Sequence, residues 1–228
     1  MAAEPARRHY HSRLYLLEDR LLLMGDGVVD MAGEAIAALT AGDVQRAAAV
    51  VRSDDRLDDQ HRELEEEILT LLALQAPVAR ELRLVSACLR VSGHLERMGD
   101  LCVNIARSVQ TAGHTPGDAP TLAQLDDMGQ RARRLVRRSL DAFARRDVGL
   151  ATELAGLDEP IDRLNRRLFR RLVELAAADS ALLDWAMRMV LVARYVERLA
   201  DHAVDVGGQT VFLVAGDTER PAAGAGDV

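Results

Sequence analysis

The chain has 228 residues, enough for one large domain or two small ones and enough to bury an apolar core without disulfides or metal staples. Hydrophobic residues make up 49% of it, yet there are only three Phe, three Tyr and one Trp, so the core must be aliphatic. The 36 acids outnumber 29 bases, every base is Arg, and the net charge of −7 disfavours nucleic acid as a main partner. This composition excludes disorder for the bulk of the chain, a disulfide scaffold and a nucleotide fold that depends on strands.

Residues Met1 to Arg13 carry Arg and His but no apolar signal core, and no run approaches the roughly 18 apolar residues of a membrane span. A cytoplasmic protein with no direct membrane insertion is expected. The first helix is predicted over about 8–40, stopped by Gly42, and Asp43 caps a second over 43–75. Pro77 opens a third over 78–111. Cys88 and Cys102 share that helix about 21 Å apart along its axis, too far to pair, so both are expected as buried free thiols.

The stretch Thr111 to Pro120 (TAGHTPGDAP) reads as a linker, rich in Gly, Pro and small polar residues. Helices then follow over about 121–146, 147–177 and 180–215, with Asp147 and Asp179 or Ser180 as caps. Pro160 is expected to kink or restart the fifth helix near Asp158. From Asp217 the tail (DTERPAAGAGDV) is expected to be disordered. Leu64, Ile68, Leu71 and Leu72 recur at helical spacing, as do Leu164, Leu168, Leu172 and Leu175, and no period-two run of strand length occurs.

The two halves repeat each other. A shift of 104 lays Asp43-Val44 on Asp147-Val148, Leu57-Asp58 on Ile161-Asp162, and Leu64 on Leu168. A shift of 101 lays LERMGD (95–100) on VERLAD (196–201). The expected fold is therefore all-α, a tandem repeat of two antiparallel three-helix bundles: 8–112, a linker at 113–120, and 121–216, followed by the tail 217–228.

Each repeat carries an acidic stripe on its third helix: Glu96, Asp100 and Asn104, then Glu197, Asp201 and Asp205. A four-residue step turns 400°, so each stripe lines one helical face, where like charges repel by a few tenths of a kcal/mol. One such stripe is common on solvated helices; two at matching positions call for another reason. The second helix of each repeat adds Asp54 and Asp58, and Asp158 and Asp162, which antiparallel packing could bring beside the stripes. Carboxylates without thiolates suit Mg²⁺, Mn²⁺ or iron. The metal candidates are Glu96, Asp100, Glu197, Asp201 and Asp205, with Asp58, Asp162 and Asn104 as further ligands.

A ferritin-like di-iron site would need an ExxH pair on each of two helices. The histidines at 9, 11, 61, 94, 114 and 202 supply none; Asp58 with His61 comes nearest, and His202 beside Asp201 reads as a packing residue or a support for a neighbouring ligand rather than a ligand itself. The Arg stripes at 131, 134 and 138 (with 133 and 137) and at 163, 166, 167, 170 and 171 read as solvated, ion-paired faces, with an acidic partner as the alternative. No GxxxxGK[ST], GxGxxG, GxSxG or HExxH occurs, so no enzyme is expected and no catalytic residue is assigned.

The segments HLERMGDLCVNIAR (94–107) and RYVERLADHAVDVGGQTVFLVAGD (194–217) closely resemble the paired signature of the PhoU family, and LLALQAPVARELR (71–83) resembles its second-to-third helix turn. The resemblance covers about 8–216, and the repeated E-R-x-x-D motifs in context are its specific part. It implies tandem three-helix bundles that bind metal clusters through an E(D)xxxD motif in each repeat, at Glu96 and Asp100, then Glu197 and Asp201. It also implies a cytoplasmic go-between in phosphate homeostasis. Its implied partners are the ATPase of the phosphate ABC transporter and the sensor histidine kinase of the phosphate regulon; it restrains uptake when phosphate is plentiful, and a homodimer is the expected assembly. Asn104 stands where the second repeat has Asp205, which implies a weaker or differently occupied first site. The competing functions are a carboxylate-bridged metal store or oxidase, and a plain helical scaffold.

Overall fold

The computed structural model describes residues 3–75, 77–111 and 117–216. Among them the chain forms six α-helices and no strand: α1 (Ala3–Ala41), α2 (Val44–Gln75), α3 (Ala79–Thr111), α4 (Ala119–Arg145), α5 (Val148–Ala178) and, after a 3₁₀ turn at Ser180–Leu182, α6 (Leu183–Ala215). The expected tail and residues 113–116, half of the expected linker, lie outside the described residues.

Local chemistry sets the helix ends. Gly42 adopts a left-handed conformation (φ 63°), and the Asp43 carboxylate accepts the Arg46 N–H at 2.9 Å. The second repeat uses the same device with Asp147 accepting from Leu150 N–H at 2.9 Å, but Arg146 stands in the left-handed position (φ 57°). A side chain there costs about 1–2 kcal/mol. The Arg146 guanidinium offsets it by donating to the Phe143 carbonyl at 2.6 Å, stacking 5.0 Å from the Phe143 ring and pairing with Glu18 of α1.

Two expectations need correction. α4 starts at Ala119 rather than 121, because Asp118 caps it by accepting both the N–H and the hydroxyl of Thr121, with Pro120 in the first turn. α5 is not restarted near Asp158 but runs on through Pro160. The lost backbone bond costs roughly 3 kcal/mol. Leu154, Ile161, Leu164 and Leu168, all buried at helical spacing, hold the flanking turns together.

Helices α1 to α3 pack on one another, as do α4 to α6; the two bundles join where α1 lies on α4 and α3 on α6. This is the tandem three-helix architecture the periodicity predicts. Its core is aliphatic, with Leu17, Leu21, Met24, Ile68, Leu71, Leu95 and Met98 at 0% exposure. Cys88 and Cys102 are buried free thiols. A Cβ on Gly25 of α1 would lie 2.6 Å from Leu140 Cδ2 of α4, and one on Gly129 of α4 would lie 2.5 Å from Ile36 Cγ1 of α1. The 104-residue offset relates Gly25 to Gly129 and Ile36 to Leu140. The two repeats therefore exchange a glycine and a branched side chain reciprocally, as an approximate two-fold interface requires, with α1 and α4 antiparallel.

In the Arg stripe of α4, Arg131 pairs with Asp127 at 3.0 Å and Arg137 with Asp26 of α1, while Arg133 donates to the Val29 carbonyl at 3.1 Å. Arg163 pairs with Glu159 and Arg171 with Asp118 in the same way.

Candidate metal centres

The acidic stripes gain their setting from the helix beside them. Antiparallel packing of α2 on α3 sets Asp54 and Asp58 against Glu96 and Asp100, close enough that Asp58 and Asp100 both act on Asp54. Gly99 makes the approach possible: a Cβ there would lie 2.1 Å from Leu57 Cδ2 and 3.3 Å from Asp54 Oδ1. In the second repeat Asp158 and Asp162 of α5 meet Glu197 and Asp201 of α6. Asp58, Asp100 and Asp201 form exposed rims, while Asp54, Glu96, Asp158 and Glu197 sit half-buried beneath them.

Electrostatics makes these clusters costly in the absence of a cation. Partial burial and then the neighbouring Asp58 and Asp100 push the Asp54 carboxyl up to about 6. Partial burial and then Asp162, Asp201 and Glu197 push Asp158 up to about 7. Glu197 rises to about 7 through burial and Asp201, and Asp201 is raised by partial burial and Asp162. Glu96 is raised by burial and Asp100, with His61 pulling the other way. Asp54 Oδ1, Asp158 Oδ1 and Glu197 Oε2 are buried oxygens without a hydrogen-bond partner, although Glu197 also pairs with Arg194. Buried polar atoms are ordinarily satisfied, and Asp54 and Asp158 are related by the repeat offset. Orphaned acceptors amid raised carboxyls fit a hard cation: it would fill the open lone pairs and cancel the repulsion.

Of the residues the sequence singles out, Glu96, Asp100 and Asp58 come together in the first repeat, and Glu197, Asp201 and Asp162 in the second. Asn104 sits half-buried one turn beyond Asp100, where its carbonyl accepts the Ser108 hydroxyl at 2.9 Å. Asp205 acts on Asp201 but its carboxylate also turns toward His94 and His202, 3.9 Å from Nδ1 of each. Those two histidines face one another across the bundle interface, Nδ1 to Nδ1 at 3.3 Å. Burial drives His202 down to about 4, helped by His94, and burial likewise lowers His94. The repeat offset already flags Asp54 and Asp158 beside the stripes, but no pattern along the chain signals the pairing of His94 with His202.

The fold and its matched carboxylate clusters define a duplicated three-helix protein with an acidic site in each repeat. The PhoU domain model matches the chain twice, over 21–109 and 125–210, and the chain belongs to the PhoU family. Its relatives include phosphate-specific transport system accessory protein PhoU homologues from Clostridium acetobutylicum (29% identical, covering 92% of this chain and 96% of that one) and Pseudomonas putida (31%, 93% and 83%). The crystal structure of PhoU from Pseudomonas aeruginosa superposes with a TM-score of 0.85 at 29% identity, covering 91% of this chain and all of that one. The phosphate transport system regulatory protein PhoU from Streptococcus pneumoniae gives 0.84 at 26% identity, covering 92% and 99%.

Proposed function

We propose that the chain is a cytoplasmic accessory protein of a phosphate transport system that restrains uptake when phosphate is plentiful. It works as an adaptor rather than an enzyme, touching the transporter's ATPase and a phosphate-responsive sensor histidine kinase. The observation that carries the reading is the pair of carboxylate clusters, each with an unpartnered buried oxygen, in a chain of this family. Asp54, Asp58, Glu96 and Asp100 would hold one cation or cluster, and Asp158, Asp162, Glu197 and Asp201 the other. A hard cation there, Mg²⁺, Mn²⁺ or iron, supplies charge neutralisation and ties α2 to α3 and α5 to α6.

An adaptor needs a face for its partners. Among the described residues no helix is long and apolar enough to cross a membrane. Phe169 and Val173 of α5 and Met187 and Leu191 of α6 are each half or more exposed, beside Arg166, Arg170 and Arg194. That mixed apolar and basic face suits a protein partner.

The test is a pull-down with tagged full-length chain from cells grown in high phosphate. The transporter ATPase and the histidine kinase should come with it, and deleting the gene should derepress phosphate-starvation genes in high phosphate. Absence of both partners together with unchanged expression overturns the reading. Iron-dependent oxidase activity that is lost in Glu197→Ala would favour a carboxylate-bridged enzyme instead.

A further inference from the structure

The contact between His94 of α3 and His202 of α6 belongs to neither carboxylate cluster, and it joins the two repeats. Two imidazole Nδ1 atoms lie 3.3 Å apart, and Asp205 Oδ2 lies 3.9 Å from each. All three ligand atoms fall within 4.8 Å of one another. The rings are tilted by 51° with centroids 5.4 Å apart, so they do not stack; the two Nδ1 atoms converge instead. Ligand atoms at about 2.0–2.1 Å from a tetrahedral ion stand about 3.3 Å from one another. The histidines already have that spacing, and the carboxylate needs to close by only about 0.6 Å, which a small rotation of an aspartate side chain supplies.

We propose that His94, His202 and Asp205 form a site for a first-row transition-metal ion of the Zn²⁺ class, one that clamps the first repeat to the second. Two imidazoles and one carboxylate are a ligand set for Zn²⁺, Co²⁺ or Fe²⁺, with solvent completing the shell. The surroundings discriminate further. Arg97 acts on both histidines and Arg198 on His202, so the site cannot hold a cation by net negative charge alone. Mg²⁺ and Ca²⁺ depend on oxygen donors and would be disfavoured, whereas an ion that bonds well to imidazole nitrogen would not. The side chains of His94 and His202 are 18% and 12% exposed and that of Asp205 36%, so an ion can reach them from the carboxylate side.

The site also breaks the internal repeat. Under the 101-residue offset, Tyr195 stands for His94, Leu101 for His202 and Asn104 for Asp205. Only one of the two related positions along α3 and α6 has the ligands, whereas the carboxylate clusters come in pairs. The inference therefore stands independently of the carboxylate-bound metals.

The experiment is a titration of full-length, chelator-treated protein with Co²⁺ alone, followed by visible absorption, and with Zn²⁺ alone, followed by equilibrium dialysis. The wild type should develop the intense visible bands of four- or five-coordinate, nitrogen-ligated Co²⁺, with a final amplitude that corresponds to one such ion per chain. His94→Gln and His202→Gln should each lose the bands and lower Zn²⁺ affinity at this site at least about tenfold. The double variant Glu96→Gln/Glu197→Gln should keep the bands while losing carboxylate-bound metal. Far-UV circular dichroism checks that each variant is helical. X-ray absorption on the wild type loaded with one Zn²⁺ needs no variant and should show two imidazole ligands. Oxygen-only coordination, or Co²⁺ bands that survive His94→Gln and His202→Gln, overturns the proposal.

Discussion

Replacing Asp158 by Asn tests the electrostatics of the second cluster at its most buried carboxyl. The side chain keeps its shape, loses its charge and can donate to the acceptors around it. In the folded protein the Asp158 carboxyl stands at about 7 against an ordinary 3.8, through partial burial and then Asp162, Asp201 and Glu197. A group whose folded value is raised favours folding below its ordinary value and loses that contribution as pH rises through the folded value. Wild-type protein stripped of metal thus carries the full penalty at pH 8 and almost none near pH 4. At 1.36 kcal/mol per pH unit the upper bound is about 4 kcal/mol. Solvent screening of a partly exposed carboxylate brings the expected gain in Asp158→Asn to about 1–2 kcal/mol at pH 8. For a chain of this size that is a rise in Tm of about 2–8 °C. Thermal unfolding by circular dichroism in chelator should show the gain at pH 8 and its shrinkage toward zero by pH 4. With saturating Mn²⁺ the sign should reverse, because the variant then lacks a ligand. A variant less stable than wild type in chelator at pH 8, or one with the same increment at both pH values, refutes the reasoning.

A glycine in close contact and a glycine with open space predict opposite signs for two like substitutions. Gly129→Ala places a Cβ 2.5 Å from Ile36 and should destabilise by about 1 kcal/mol, an overpacking cost of about 1–3 less about 1 of helix propensity. Gly208→Ala, with nothing within 4 Å of its Cβ, should stabilise by about 0.5–1 kcal/mol in the same denaturation assay. Burial pushes the Cys88 and Cys102 thiols up to about 12, so neither should react with a disulfide reagent at pH 8 until the protein is unfolded, when both should. Burial would raise the Asp118 carboxyl, but hydrogen bonds from Thr121 and Arg171 outweigh it and hold the group below its usual range. Asp118→Ala should cost about 1–2 kcal/mol at pH 7, a difference that fades as pH falls through the carboxylate range, measured by urea titration at several pH values.

Much of this molecule is written in nearest-neighbour terms, and those parts are legible along the chain. Asp43 and Asp147 announce their helices because a cap bonds an N–H only three residues away. Glu96 and Asp100, or Glu197 and Asp201, share a face because four residues make about one turn, and duplication marks them as more than solvated acids. Local rules also mislead where packing outweighs them. Pro160 breaks a hydrogen bond yet not its helix, since buried leucines on both sides keep α5 continuous. Arg146 occupies a backbone position that favours glycine, because Glu18 and Phe143 receive its side chain.

What tertiary structure alone decides is register between helices. The meeting of Asp54 with Asp100, or Asp158 with Asp201, depends on how α2 and α5 slide against their neighbours, and in the first repeat on a glycine that lets Leu57 in. His94 and His202 stand 108 residues apart and touch only because α3 of one bundle lies on α6 of the other. Helical periodicity determines which side chains share a face; it carries no information about which faces meet. That choice is made by shape complementarity in the aliphatic core, where Gly25 receives Leu140 and Gly129 receives Ile36.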